Sequence, residues 1–170
     1  MGSERSEHKT RHIEFCSAFG RHPAPTPPFQ GGEVYCRKDG LGLQMAMKNG
    51  YKVVIISGAS SEPVINRFRY LGITEIHLGI RDKLAFLQDF AEQNGLTWKE
   101  ILFMGDDLPD VAVLEKVGLS CCPADAAVEV KKVSKYISAA KGGNGCVRDV
   151  IEKVLKLNDR WNYNTEISSR

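Results

Sequence analysis

No aspartate occurs before Asp39 in this chain of 170 residues. Any chemistry built on two closely spaced aspartates early in the chain is therefore excluded. There is no Cys-x-x-Cys pair either. The five cysteines, Cys16, Cys36, Cys121, Cys122 and Cys146, are odd in number and have no zinc-ligand spacing. They read as reduced, partly buried thiols, the usual state in a cytoplasmic chain. No apolar run approaches the about 20 residues of a membrane span. Met1 to Arg11 is polar with no apolar stretch behind it, which argues against a secretory signal. The formal charge is +2, with no basic stripe and no acidic block. These absences predict a cytoplasmic protein with neither nucleic acid nor membrane as partner.

What is present falls into unequal parts. Residues 1–30 are rich in His, Pro and Arg, and Ala24 to Pro28 reads Ala-Pro-Thr-Pro-Pro, which enforces extended geometry. A central strand is expected around residues 12–20, yet Ile13 to Phe19 is only weakly apolar, so the first strand reads as degraded. The expectation for 1–30 is a disordered arm or a stretch read from an altered frame. Residues 31–157 form the expected core, and 158–170 a polar, loose tail.

Within the core, strands and helices alternate. Leu41 to Lys48 is a short helical pattern closed by Asn49-Gly50. Tyr51 to Ser57 is a continuous apolar strand of the kind covered on both faces. Ser60 or Ser61 caps the next helix, with Pro63 in its first turn and Gly72 after it. Glu75 to Gly79 is a strand, Leu84 to Ala91 a helix ended at Gly95, and Thr97 with Glu100 a capping box. Ile101 to Met104 is a strand, Val111 to Val117 a helix, Leu119 to Cys122 a strand, Ala126 to Val133 a helix and Tyr136 to Ser138 a strand. A glycine loop, Lys141 to Gly145, precedes a last helix from Val147 to Leu155. This alternation predicts an α/β fold with a Rossmann-like parallel sheet and helices on both faces. Ligands of such sheets bind at the carboxyl ends of the strands.

That rule selects three places. At Gly105-Asp106-Asp107-Leu108-Pro109-Asp110 an apolar strand stops at glycine and is followed by three carboxylates. So much like charge calls for a cation or hydrogen-bond donors, and Mg2+ suits carboxylate oxygens, water and phosphate. The same residues also read as a capped turn, with Asp106 or Asp107 as N-cap and Asp110 in the first turn. Ser57-Gly58 offers a strand-end hydroxyl and helix N–H groups for a phosphate oxygen, or a plain serine-capped loop. Lys83 opens a helix, where the dipole disfavours a cation unless an anion lies in front of it; alone, it reads as a solvated lysine.

In order, these motifs resemble the haloacid dehalogenase superfamily, whose signatures are a strand-end Ser/Thr, a Lys and a Gly-Asp-Asp-x-x-Asp. Lys38-Asp39-Gly40-Leu41-Gly42, Ile55-Ile56-Ser57-Gly58, Leu71-Gly72-Ile73, Asp82-Lys83-Leu84, Val117-Gly118-Leu119 and Gly142-Gly143-Asn144-Gly145 narrow the resemblance. They look like the capless phosphatases acting on 3-deoxy-D-manno-octulosonate 8-phosphate, from about Gly31 to Leu157. The same module is similar to the phosphatase-like domain of some acylneuraminate cytidylyltransferases. The resemblance implies an Mg2+-dependent phosphomonoesterase of lipopolysaccharide biosynthesis, acting on a small phosphorylated sugar acid as a homotetramer. It implies that Ser57, Gly58 and Lys83 bind phosphate, that Lys83 is the catalytic cation, that Asp106 ligates Mg2+, and that Asp107 and Asp110 support the site. It also implies that the loop Gly142 to Gly145 lies near the neighbouring subunit's site.

The chain departs from the pattern twice. The family's strand-end Asp-x-Asp, which supplies nucleophile and general acid/base, is absent. After Gly58, where the family often carries arginine, the chain reads Ala59-Ser60-Ser61. Three readings follow: a phosphatase by descent with turnover impaired or lost, a non-catalytic relative that keeps a phosphate pocket, or a phosphatase-like module related to the acylneuraminate cytidylyltransferases.

Overall fold

The apolar strands alternate their side chains between two cores, and this divides the helices into two layers. In the computed structural model, which describes residues 12–16, 33–60 and 62–161, six strands form one parallel sheet. They are β1 (His12–Cys16), β2 (Lys52–Ser57), β3 (Glu75–Leu78), β4 (Ile101–Met104), β5 (Leu119–Cys122) and β6 (Tyr136–Ile137). Their order is β3-β2-β1-β4-β5-β6. This is a doubly wound order, which reverses between β1 and β4 and opens a crevice at their carboxyl ends.

Between the strands run α1 (Glu33–Lys48), α2 (Glu62–Tyr70), α3 (Lys83–Gln93), α4 (Val111–Leu114), α5 (Val128–Val133) and α6 (Cys146–Leu157). Val53, Ile55, Leu102, Met104 and Cys121 point into one core, against Leu43, Phe68, Val147 and Ile151 of α1, α2 and α6. Val54, Ile56, Ile101, Phe103 and Cys122 point into the other, against Leu87, Val113 and Val130 of α3, α4 and α5. The period of two along each strand thus sorts the side chains, as a sheet covered on both faces requires. Among the described residues, no helix is long and apolar enough to cross a membrane.

Several boundaries differ from the sequence-based expectation. Residues 12–16, expected within an arm, form β1, paired to β2 through Phe15–Ile55 and to β4 through Phe15–Met104. A central strand needs unbroken backbone donors and acceptors on both edges, and His-Ile-Glu-Phe-Cys supplies them without proline. Residues 1–11, 17–32, 61 and 162–170 lie outside the described residues, and with them Ser61 and most of the expected arm and tail. Helix α1 starts at Glu33, earlier than the expected Leu41, because Gly40 and Gly42 do not break it. A Cβ on Gly42 would lie 2.9 Å from the Arg148 Cα. The close approach of α1 to α6 offsets the helix-propensity cost of glycine, about 1 kcal/mol. Helix α4 stops at Leu114 rather than Val117, and its last turn is drawn out toward Gly118, whose N–H donates to the Trp98 carbonyl at 2.7 Å. The start of the expected loose tail folds back: Arg160 N–H donates to the Leu155 carbonyl at 2.8 Å, and Trp161 packs on the core.

Gly118 shows how tight this packing is. A Cβ there would meet the Lys99 carbonyl oxygen at 2.3 Å, a backbone atom with no freedom to rotate away. Gly118→Ala is expected to cost about 1–3 kcal/mol, as overpacking does. Urea unfolding measures it, and an unchanged midpoint would contradict the packing described.

The thiols give a pH prediction. Burial, helped by neighbouring Cys122 and Asp149, pushes the Cys121 thiol up to about 12. Burial, helped by Asp39, pushes Cys146 up to about 12 as well. These thiols ionise in the unfolded chain near pH 8.5 but stay neutral in the fold. Their contribution is complete below that pH and is lost as pH rises toward 12. The urea midpoint is therefore expected to fall between about pH 7 and about pH 10, and Cys121→Ala should flatten part of that fall.

Candidate active site

The residues singled out by sequence all follow strand ends, and hydrogen bonds tie their loops into one edge of the sheet. Strand β2 delivers Ser57, whose carbonyl accepts the Ile80 N–H at 3.0 Å, joining the loop after β2 to the loop after β3. The Ser57 hydroxyl oxygen accepts the Ala59 N–H at 3.1 Å. With its oxygen engaged as an acceptor, the hydroxyl hydrogen is left to donate, which is the polarity an oxyanion needs. A Cβ on Gly58 would meet nothing closer than the Ile80 carbonyl oxygen at 3.5 Å. Space alone does not require glycine at Gly58.

Three residues beyond Ile80, Lys83 opens α3. Sequence left open whether this lysine is solvated; it is buried, with 6 % of its surface exposed. Its Nζ donates to Asp110 Oδ1 at 2.6 Å, and Asp110 is wholly buried. Asp82 caps the same helix, accepting the Ala85 N–H at 2.9 Å. Two carboxylates thus offset a cation placed at the positive end of a helix dipole.

Asp110 also shapes the acidic loop. Its Oδ2 accepts the N–H groups of Asp106 at 3.0 Å and Asp107 at 3.2 Å. Asp107 in turn caps a 3-10 turn over Leu108–Asp110, accepting the Leu108 N–H at 2.9 Å. The capped-turn reading therefore holds for Asp107, while Asp110 organises the turn from inside. Gly105 is obligatory: a Cβ there would lie 2.5 Å from the Asp110 Cβ. Asp106 is half-buried beside this turn, and its carbonyl accepts the Ala127 N–H at 2.9 Å, holding the loop before α5.

Sequence reasoning missed the carboxylates that fasten this edge. Asp125 Oδ1 accepts the Gly142 N–H at 2.7 Å, pinning the glycine loop beside the loop after β5. Asp39, buried in α1, accepts the Arg148 N–H at 2.9 Å and the Gly145 N–H at 3.3 Å, and so caps α6 from another helix. At the far edge Asp149 accepts from Tyr136 at 2.7 Å, from Ser138 at 2.8 Å and from Lys153. These hydrogen bonds hold its carboxyl below the usual range against the opposing effect of burial. Asp82 carried a readable signal, a cap residue just before an apolar-periodic run. Asp149 pairs with Lys153 at i,i+4 spacing on α6, a spacing that sequence can show, whereas Asp39 and Asp125 pair across long stretches of sequence and nothing local marks them.

Among the described residues, no group of three or more His, Cys, Asp or Glu side chains converges to hold a metal ion. Asp110, the third acidic side chain of the turn, is committed to Lys83 and to two backbone N–H groups. Between Glu14 and Glu33, across the whole stretch that follows β1, the sequence holds no carboxylate.

Known proteins are similar to this chain in sequence and in fold. Residues 70–150 match the model of the haloacid dehalogenase-like hydrolases. The crystal structure of 3-deoxy-D-manno-octulosonate 8-phosphate phosphatase from Moraxella catarrhalis, in complex with magnesium ion, phosphate ion and a KDO molecule, is 30% identical. It superposes with a TM-score of 0.76, covering 86% of this chain and 86% of that one. The chain belongs to this phosphatase family. The Yersinia pestis phosphatase of the same name is 26% identical, with a TM-score of 0.78 over 88% of this chain and 83% of that one. The phosphatase KdsC of Escherichia coli (strain K12) is 36% identical over 118 residues, which is 69% of this chain. The chain spans 63% of the length of that curated relative.

Proposed function

We propose that this member of the phosphatase family binds the phosphate of a small phosphorylated sugar acid, 3-deoxy-D-manno-octulosonate 8-phosphate or a close analogue, and that this chain turns it over at a strongly reduced rate or not at all. The reading is supported by the ion pair of Lys83 with Asp110, which brings a buried cation to the turn that carries Asp106. In this proposal the Ser57 hydroxyl and the amide groups after Gly58 hold the phosphate oxygens, and Lys83 offsets their charge. Asp106 closes the far wall, while Asp107 and Asp110 keep the turn in shape.

The reduced rate follows from the residues after β1. An in-line attack on phosphorus needs a nucleophile at the strand end, and residues 17–32 supply no carboxylate for it. Magnesium is the ion the family likeness implies, with Asp106 as its ligand. It usually takes one or two carboxylates together with substrate phosphate. Asp106 alone meets the lower limit, so it would hold the ion weakly. A homotetramer, a cytoplasmic setting and a place in lipopolysaccharide synthesis are further parts of the proposal. The buried, neutral thiols are consistent with a reducing compartment.

Calorimetric titration with the octulosonate 8-phosphate tests the binding step. The expected result is a saturable site that Ser57→Ala weakens by about tenfold, the worth of one hydrogen bond to a charged group. Equal affinity for the free sugar acid without its phosphate would contradict the reading.

A further inference from the structure

We infer that Asp125 is a positioning residue for the proposed phosphate site: its carboxylate locks the glycine loop after β6 to the loop after β5, which itself holds the Asp106 turn. The inference rests on the phosphate reading and concerns what keeps that site in shape. Three hydrogen bonds carry it. The Ala127 N–H donates to the Asp106 carbonyl at 2.9 Å, joining the loop after β5 to the turn after β4. The Ala124 N–H donates to the Ala140 carbonyl at 3.0 Å, joining the same loop to the one after β6. Between these two backbone links Asp125 adds a third, its Oδ1 accepting the Gly142 N–H at 2.7 Å.

The need for such a link lies in the chain that it fastens. Lys141 to Gly145 holds three glycines, and Gly143 and Gly145 adopt positive φ angles of 69° and 97°. Glycine gives that stretch a wide choice of backbone conformations, so one shape has to be selected from outside. Asp39 does so at Gly145, from the helix layer of α1 and α6. Asp125 does so at Gly142, from the carboxyl edge of the sheet. Of these two links, the one made by Asp125 leads to the site, since Ala127, which holds Asp106, lies just beyond it in the same loop. Losing it leaves the Gly142 N–H to water and frees the glycine loop, and the loop after β5 loses its brace. A site that has to order a loop on binding gives up affinity. Charge alone predicts the opposite: removing a carboxylate from the neighbourhood of a bound anion strengthens binding. Weaker binding after its removal therefore marks position rather than charge.

Calorimetric titration of the full chain with inorganic phosphate, beside Asp125→Ala and Asp125→Asn, tests this. Asp125 is exposed, so neither change disturbs the core. Asp125→Ala is expected to weaken binding about fivefold, the worth of one ordinary hydrogen bond. Asp125→Asn keeps an oxygen that accepts the Gly142 N–H. It is expected to bind within about twofold of the unmodified chain, or more tightly. Amide spectra of 15N-labelled Asp125→Ala read the path without ligand: the Gly142, Asp106 and Asp107 amides are expected to move, with Gly42 unmoved. Undiminished affinity in Asp125→Ala, equal weakening in both variants, or unmoved Asp106 and Asp107 amides would overturn the inference and leave the phosphate reading standing. No saturable binding by the unmodified chain would overturn both.

Discussion

Phosphate release from 3-deoxy-D-manno-octulosonate 8-phosphate by this chain, with magnesium present, is expected to stay at the rate of the buffer control. The Escherichia coli relative, assayed beside it, provides the reference. The reason lies in one stretch of sequence. Strand β1 ends at Cys16, level with Ile56 of β2, at the carboxyl edge of the sheet where the proposed site lies. The next carboxylate is Glu33, at the start of α1 on the way back across the sheet. In the proposed site Lys83 and Ser57 would still position the phosphate and offset its charge, but on a reaction with no protein nucleophile. In a serine protease, loss of the nucleophile costs about 10⁶ in rate. A deficit of that order is expected here. A colour assay for released phosphate reads it directly, and turnover within about a hundredfold of the reference would contradict it.

The second large effect concerns stability. Lys83→Met is expected to cost about 3–5 kcal/mol, because it leaves the Asp110 carboxylate buried without its cation. The exposures of 6 % and 0 % decide this estimate, since an exposed pair contributes only about 0–1 kcal/mol. Asp110→Asn is expected to cost nearly as much, since it strands the buried lysine. The double variant should cost less than the sum of the two. A coupling of about 1–3 kcal/mol is the signature of groups that need each other. Urea unfolding of the four proteins completes the cycle. Additive losses of less than about 1 kcal/mol each would show that the pair behaves as a surface contact.

The strands were legible where burial on both faces leaves a run with no polar residue, as in Val53 to Ile56 and Ile101 to Met104. Strand β1 was read as poor because its glutamate and histidine break that pattern. Its pairing on both edges is a tertiary fact that no five-residue window contains. Helix α1 was read eight residues short, since Gly40 and Gly42 signal a break unless a neighbouring backbone is known to need the space that a Cβ would fill. The positions of Ser57, Lys83 and Asp106 were legible because each follows a strand end, and parallel strands bring their carboxyl ends together. The partner of Lys83 was not. Asp110 lies 27 residues away, and the sequence suggested a phosphate facing the lysine where the fold supplies a carboxylate. Asp39 was likewise noticed only as part of a motif, while its role as a cap for α6 depends on the crossing of two helices distant in sequence.

The whole account depends on an oxyanion settling among the loops after β2, β3 and β4. Mapping amide shifts in a 15N-labelled sample as inorganic phosphate is added tests this most directly. The expected result is saturable movement of the Gly58, Ala59, Asp106 and Asp107 amides, with Gly42 and Arg148 on the far helices unmoved. Shifts confined to the α1–α6 face, or none at the β2 and β4 ends, would contradict it.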